Sequence, residues 1–365
     1  MKTVCEKNQC TGCMLCVESC PKGAVRIVDD LRSYNACIDE DKCVECGLCF
    51  KNCQINHPVE KKAPMQWHQG WAEEAVRSKS SSGGYAAAIS AAFIERGGTV
   101  CSCAFAEGTF GFRIARSVEE AAVFRGSKYV KSDPRGIYKE IKKEVQERKL
   151  LFIGLPCQIA AVKKCLGADT ENLYTIDLSC HGTPSPQLLK KSLAEYGVVP
   201  EEIKAIAFRD EKGYGLIVDG KRVVPDMIDR YLYAFLEGVC NSENCYSCPY
   251  AERGRTSDLT LGDSWGTEYE TEFKKGVSLA LCQTEKGKEL LAMARLELLD
   301  VDVERAIRHN GPLQRPTQKP SVREKFYALL ERGCGFNAAV KKCYAKMFFK
   351  MELRALLVKL RLLPR

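Results

Sequence analysis

Long hydrophobic runs are what this 365-residue chain lacks. A bilayer-spanning helix needs roughly 18 or more consecutive apolar residues, and the nearest stretch, residues 85–94, is short and rich in alanine. A soluble body is expected. No apolar export segment follows the opening Met1-Lys2-Thr3-Val4-Cys5, so the expected compartment is the reducing cytoplasm. The 21 cysteines are therefore not read as a disulfide scaffold. Excess charge of one sign is also missing from most of the chain. Of the net charge of +8, residues 341–365 carry +7, from eight Lys or Arg against the single acid Glu352. The remainder is near neutral and holds no recognition motif, which argues against nucleic acid as a partner. Apolar residues reach 45%, enough for an ordinary core in two or three domains of roughly 100–200 residues.

Cysteine is abundant, and its spacing is regular. The chain reads Cys10-x-x-Cys13-x-x-Cys16-x-x-x-Cys20-Pro21 and then Cys43-x-x-Cys46-x-x-Cys49-x-x-x-Cys53. A cubane iron–sulfur cluster needs four convergent thiolates, and in chains with two such runs the fourth cysteine of each run serves the other cluster. The expected ligands are Cys10, Cys13, Cys16 and Cys53 for one [4Fe-4S] cluster and Cys43, Cys46, Cys49 and Cys20 for the second. Structural zinc instead uses pairs of cysteines separated by longer stretches. The runs differ in that Cys20 precedes Pro21 whereas Cys53 precedes Gln54, so the hydrogen bonding around the two loops is expected to differ. Cys5 and Cys37 fall outside the pattern and read as small apolar side chains. Such a unit carries electrons.

Residues 1–58 form this unit, an α+β ferredoxin-like dicluster domain whose halves each read as loop, short helix and strand, with a strand at 25–28. Residues 59–70, containing Pro64 and paired lysines, read as a linker. From 71 to 310 strands alternate with helices: a helix at 85–96, a strand at 99–105, a charged helix at 137–149, a buried-strand run at 150–154, a helix at 159–165 and a strand at 173–178. That alternation predicts an α/β domain with a mixed sheet. Residues 311–365 read as a helical basic tail. Its Met347, Phe348, Phe349, Met351, Leu353, Leu356, Leu357, Leu360, Leu362 and Leu363 make an amphipathic pattern that suits packing on the protein itself, a partner, or an anionic membrane.

Four further cysteines stand at element ends. Cys157 lies in Gly154-Leu155-Pro156-Cys157-Gln158, and Cys180 in Asp177-Leu178-Ser179-Cys180-His181-Gly182. Cys245 and Cys248 lie in Asn244-Cys245-Tyr246-Ser247-Cys248-Pro249-Tyr250, with Cys240 close upstream. Strand carboxyl ends in an open α/β sheet meet at one crevice, so these thiols can converge on a third cluster; scattered buried cysteines or a redox-active pair are the alternatives. Two turns suit an anionic cofactor. Ser80-Ser81-Ser82-Gly83-Gly84 opens onto a helix, whose N-terminal N–H groups attract phosphate, although Ser and Gly are equally ordinary caps. It is neither a Walker loop nor a Gly-x-Gly-x-x-Gly fingerprint. Gly126-Ser127-Lys128-Tyr129-Val130-Lys131-Ser132 sets cations beside an aromatic ring, and Leu261-Gly262-Asp263-Ser264-Trp265-Gly266 reads as a structural turn.

Together these stretches resemble the coenzyme F-420 hydrogenase/dehydrogenase beta subunit family, fused here to an N-terminal two-cluster ferredoxin. The matching segments run in order from residue 80 to 266. They are Ser82-Gly83-Gly84, Gly126-Ser127-Lys128-Tyr129-Val130, Gly154-Leu155-Pro156-Cys157-Gln158, Cys180-His181-Gly182-x-Pro184-Ser185, Phe208-Arg209-Asp210, Cys245-x-x-Cys248 and Asp258-Leu259-Thr260-Leu261-Gly262-Asp263-x-Trp265-Gly266. The resemblance implies FAD in the α/β domain and a third [4Fe-4S] cluster on Cys157, Cys180, Cys245 and Cys248. It makes Ser82, Gly83, Gly84, Ser127, Lys128 and Tyr129 the candidates for the flavin site. His181 is the candidate catalytic residue, with a role in orienting the loop as the alternative. A flavin exchanges hydride for single electrons and a cluster takes one. The expectation is an iron–sulfur flavoprotein oxidoreductase acting on a small substrate or a deazaflavin-like coenzyme, with ferredoxin or another oxidoreductase subunit as redox partner. The rival expectation is a non-catalytic electron-transfer subunit of a larger redox complex. The expected location is cytoplasmic, with the tail offering peripheral contact at the inner face of the membrane.

Overall fold

The strand Leu150–Gly154 is buried at all five positions, and the reason is visible on either side of it. Leu151 and Ile153 pack with Tyr85, Ile89 and Phe93 on one face of the central sheet, whereas Leu150 and Phe152 pack with Ile137, Ile141 and Ile159 on the other. A strand covered on both faces reads as a continuous apolar run rather than an alternating one.

The computed structural model describes residues 2–168, 170–225 and 227–360; Leu362 and Leu363 of the expected apolar tail face lie outside the described residues. In the dicluster unit β1 (Val25–Asp29) pairs antiparallel with β2 (Tyr34–Ile38), flanked by short helices Leu15–Glu18 and Leu48–Lys51. The large sheet draws on β3 (Gln66–Ala72), β4 (Thr99–Ala106), β5 (Thr109–Ala115), β6 (Leu150–Gly154) and β7 (Leu173–Leu178). A separate antiparallel meander holds β8 (Ile206–Asp210), β9 (Gly213–Val218) and β10 (Lys221–Arg222). The chain then returns to the large sheet with β11 (Leu259–Asp263), β12 (Ser278–Cys282) and β13 (Leu296–Leu299). The order across that sheet is β13-β3-β12-β11-β7-β6-β4-β5. Its centre, β11-β7-β6-β4, is parallel, and antiparallel strands finish both sides. Helices Tyr85–Glu95 and Glu285–Met293 cover one face, and Ile137–Glu147 and Pro156–Leu166 the other.

Two sequence expectations need correction. Residues 66–70, assigned to the linker, belong to β3, which lies inside the sheet between β12 and β13; Gln69 is fully buried there because it accepts from Ser264 and Thr267 and donates to Glu268. A polar glutamine in a strand conceals the strand from a hydrophobicity reading. Residues 311–360 are largely helical but do not all form a basic surface tail. Phe326, Tyr327, Phe336, Val340 and Phe348 join the core built on Leu188, Phe208, Leu216 and Tyr231. The outer side of helix Ala345–Lys359 stays open through Met347, Phe349, Leu353 and Leu356, with the exposed Leu360 just beyond its end.

Candidate redox centre

The two N-terminal cysteine runs fold into loops of the same local design. In the first, Gly12 and Met14 have φ of 68° and 59°; in the second, Glu45 and Gly47 have φ of 53° and 72°. These are the second and fourth residues after the leading cysteine in both loops. Left-handed residues at those places curl the backbone before it enters a four-residue helix that contains the third cysteine, Cys16 or Cys49. Cys10, Cys13, Cys16 and Cys53 line one cavity, and Cys5 joins them. Hydrogen bonding with Cys10 and Cys53 pushes the Cys5 thiol up, whereas its hydrogen bond draws Cys53 down to about 6. Cys5 also packs in the apolar cluster of this unit with Val4, Val25 and Ala36. In the other run burial, with the thiols of Cys20 and Cys43 nearby, pushes Cys49 up. Cys46 is exposed, as are the neighbouring Val44, Leu48 and Phe50.

A second group of cysteines meets at the carboxyl ends of the parallel strands. Cys157 lies in the first turn of the helix after β6, Cys180 just beyond β7, and Cys245 and Cys248 in and after the short helix Glu243–Ser247. Burial pushes Cys157 up, and the nearby thiols of Cys248, Cys180 and Cys245 add to the shift. Burial and then Cys245 push Cys180 up to about 12. The loop carrying Cys180 is pinned, since Asn241 Nδ2 donates to the His181 carbonyl at 3.0 Å and Gly182 N–H to Cys180 Sγ at 3.4 Å. Among the described residues no three His, Cys, Asp or Glu side chains close on a single metal ion. A cubane asks for something else, because its four thiolates bind four different irons and are spread around a cluster.

The dicluster unit is stitched to this region by polar contacts. Tyr138 Oη donates to the Cys13 carbonyl at 2.6 Å, Gln54 Nε2 to Thr11 Oγ1 at 3.0 Å, and Tyr250 Oη to Gln54 Oε1. Tyr250 feels the thiols of Cys157 and Cys248 as well as those of Cys13 and Cys53, which places it between the two groups.

Beyond Cys180 lies a cluster of polar contacts. Arg209 on β8 donates to Ser81 O at 3.0 Å, Tyr214 Oη at 2.7 Å and Asp263 Oδ2 at 2.9 Å, with its guanidinium 4.4 Å from the Tyr214 ring centre. Burial works against the Arg209 charge, but Asp263, Tyr129 and Tyr214 outweigh it and its pKa lies above the ordinary arginine value. The turns at 80–84 and 126–129 meet here, Ser127 N–H donating to Ser81 Oγ at 3.0 Å. His181 is solvent-accessible. Burial lowers its pKa, with Asp263 opposing and Arg209 reinforcing. Lys128 Nζ bonds the carbonyls of Phe124 and Arg125, and burial lowers its pKa to about 8. Tyr129 stacks on Phe235 at 4.6 Å. Gly83 faces backbone rather than open space, since a Cβ there would collide with the Gly70 carbonyl oxygen. Ser82 Oγ donates to Val277 O at 3.1 Å, and Gly84 takes the left-handed conformation that starts the helix.

Tyr129 Oη, Arg209 Nε and Ser179 Oγ are buried without a hydrogen-bond partner. Buried polar groups in folded proteins are nearly always satisfied, and the Arg209 guanidinium lies 5.5 Å from the Tyr129 ring centre, so these neighbouring orphaned atoms suit a polar ligand. Arg209, Tyr214 and Asp263 were not singled out as site residues from sequence, although Arg209 and Asp263 fall within the motifs that carried the resemblance. A cavity of about 500 Å³ lies elsewhere, between Val25, Ile27 and Tyr34 of the dicluster unit and Phe110, Leu189 and Leu193. None of the flavin candidates lines it.

Residues 9–56 match the 4Fe-4S dicluster domain, and residues 147–302 match the family described as the C terminus of the coenzyme F420 hydrogenase/dehydrogenase beta subunit. An uncharacterized protein of Methanocaldococcus jannaschii is 26% identical over 332 residues, covering 78% of this chain and 86% of the relative. One component of an ion-translocating oxidoreductase complex from Methanosarcina acetivorans is 43% identical over 53 residues, only 14% of this chain and 18% of that one. In fold the chain is similar to a chain of the F420-reducing [NiFe] hydrogenase complex from Methanosarcina barkeri, with a TM-score of 0.51 and 16% identity, covering 76% of this chain and 97% of the other. The cysteine sets and these matches define an iron–sulfur electron-transfer protein of the oxidoreductase type. Within that class, the chain joins a segment that matches the 4Fe-4S dicluster domain to one that matches the C terminus of the coenzyme F420 hydrogenase/dehydrogenase beta subunit.

Proposed function

We propose that this chain is an iron–sulfur flavoprotein oxidoreductase that moves electrons between ferredoxin-type clusters and FAD, reducing or oxidising a small substrate or a deazaflavin-like coenzyme. Cys10, Cys13, Cys16 and Cys53 hold one [4Fe-4S] cluster; Cys43, Cys46, Cys49 and Cys20 hold a second, and Cys157, Cys180, Cys245 and Cys248 a third. When bound, the clusters supply one-electron transfer and the flavin the exchange between single electrons and hydride. The observation that carries the reading is the group of orphaned atoms, Tyr129 Oη, Arg209 Nε and Ser179 Oγ, gathered beside the loop of Cys180. Ser82, Gly83, Gly84, Ser127, Lys128 and Tyr129 belong to the two turns that meet at these polar contacts. Tyr129 and Ser127 suit direct contact with a flavin, and Gly83 and Gly84 hold the turn in shape.

The chain contributes placement. The exposed Cys46, ringed by Val44, Leu48 and Phe50, faces the partner, a ferredoxin or another oxidoreductase subunit. The Cys10 set is enclosed behind it, and Tyr250 separates that set from the Cys157 set. Arg209 keeps a positive charge among them, which favours an anionic reduced ring or substrate. His181, with its pKa lowered by burial, holds or delivers a proton there. The open face of helix Ala345–Lys359 sets Phe349, Leu353 and Leu356 beside Lys346, Lys350 and Arg354, which suits peripheral contact with an anionic membrane at its cytoplasmic face.

Cofactor analysis of the anaerobically purified chain tests the reading. About twelve irons with matching acid-labile sulfide, and one FAD released on denaturation, are expected. Cys157→Ser should then remove about four irons and leave the dicluster signals. About eight irons and no flavin would overturn the three-cluster flavoprotein. That result would leave a non-catalytic electron-transfer subunit, the role suggested by the complexes in which the similar Methanosarcina proteins are named.

A further inference from the structure

Lys131 is a buried lysine with an unusual set of neighbours. It is 5% exposed, and its ammonium donates to the Thr11 carbonyl at 2.8 Å. Its backbone N–H donates to the Pro184 carbonyl at 3.0 Å. The side chain thus runs from the loop that carries Cys180 to the loop between Cys10 and Cys13. It passes close enough that a Cβ on Gly12 would sit 3.1 Å from Lys131 Cδ. The ammonium also lies 5.0 Å from the Tyr34 ring centre.

Moving an ammonium out of water costs several kcal/mol unless opposite charge compensates. Two other buried cations, Arg77 and Arg323, have that compensation: Arg77 pairs with Glu272 at 2.5 Å and Arg323 with Glu243 at 3.3 Å. For Lys131 no carboxylate stands within ion-pair distance among the described residues, and the nearby acids are engaged elsewhere. Asp29 accepts from Ser185 Oγ at 2.6 Å and Leu31 N–H at 2.9 Å, and Asp133 holds Arg135. What flanks Lys131 is the two cysteine loops: its ammonium sits on the carbonyl of Thr11, the residue after Cys10, and its backbone is bonded to Pro184 in the loop that carries Cys180.

We propose that Lys131 is the counter-cation shared by the Cys10/Cys13/Cys16/Cys53 site and the Cys157/Cys180/Cys245/Cys248 site, holding both at a higher reduction potential than they would have without it. An electron arriving at either site adds one negative charge and breaks no bond, and a fixed positive charge in a water-poor setting stabilises that added charge. The exposed set built on Cys46 is screened by solvent and takes no such help. Lys131 therefore biases electrons inward from the surface site. The part of this assignment that concerns the Cys157 set rests on the proposed function; the part that concerns the Cys10 set does not.

The test is an anaerobic redox titration of the full-length holoprotein followed by electron paramagnetic resonance, comparing the natural chain with Lys131→Gln and Lys131→Arg. The outer signal is identified as the one altered by Cys46→Ser. Glutamine keeps a donor for the Thr11 carbonyl and removes the charge. Lys131→Gln should move the inner midpoints to more negative potential and leave the outer one in place, and Lys131→Arg should stay near the natural values. Unmoved inner midpoints in Lys131→Gln, or an equal shift of the outer one, would overturn the proposal. If Lys131→Gln fails to retain iron, Lys131→Arg decides: retained iron with near-natural midpoints upholds the charge role, and loss in both variants reduces Lys131 to packing. A shift in one inner signal from a chain holding about eight irons would keep Lys131 and remove the third site.

Discussion

Tyr250 is buried where the dicluster unit meets the large sheet, and its hydroxyl donates to Gln54, which in turn donates to Thr11. Removing the hydroxyl leaves Gln54 Oε1 without its donor in a dry setting. Tyr250→Phe should therefore cost about 1–3 kcal/mol, seen as a lower midpoint of anaerobic denaturation with iron content unchanged; an unaltered midpoint would show that water replaces the hydroxyl. Residues of this kind are hidden in a sequence. Gln54 and Thr11 lie 43 positions apart, and Tyr250 a further 196, so neither spacing nor residue type announces the network. Lys131 and the Arg209–Asp263 pair are hidden for the same reason. The cysteines of the first two runs are different, because a tight loop is local and its spacing is written in consecutive residues.

At the scale of elements, helix Ala345–Lys359 divides into two sides. Phe348 is fully buried, with ring contacts to Tyr233 at 5.0 Å and the Arg230 guanidinium at 5.4 Å, while the adjacent Phe349 is 66% exposed. Phe348→Ala should destabilise the chain by about 3–5 kcal/mol, whereas Phe349→Ala should stay within about 0.5 kcal/mol; chemical denaturation of the two variants side by side measures this. Equal effects would mean that the helix does not pack as described. The pattern from 347 to 360 was legible as amphipathic, but not which side meets the core, since apolar residues occupy both. Elements with one clear environment were read more closely. The helix expected at 85–96 spans Tyr85–Glu95, and the strand expected at 173–178 spans Leu173–Leu178. β3 escaped because Gln69 is satisfied by Ser264 and Thr267, far along the chain.

For the whole molecule, no described helix is long and apolar enough to cross a membrane, and most of the net charge is carried by residues 341–365. With Phe348 holding the helix to the body, an apolar and basic outer side acting as the proposed membrane face would present the protein in one orientation. The full chain should sediment with anionic vesicles and not with neutral ones, and raised salt should weaken the binding. A chain that binds neither kind of vesicle would leave that face to a partner protein.

The sequence by itself determined what depends on neighbours along the chain: the two cysteine loops, the helices and strands with a single clear environment, and the charge of the C-terminal segment. The tertiary structure alone decided which strand ends lie side by side, and with that the approach of Cys157 to Cys180, Cys245 and Cys248, the polar contacts of Arg209, and the lysine that reaches from one cysteine loop to the other. The physical reason is that parallel strands are joined by long crossovers. Residues at their carboxyl ends become neighbours only after both faces of the sheet are covered, and a buried charge such as Lys131 finds its compensation only in what the fold brings to it.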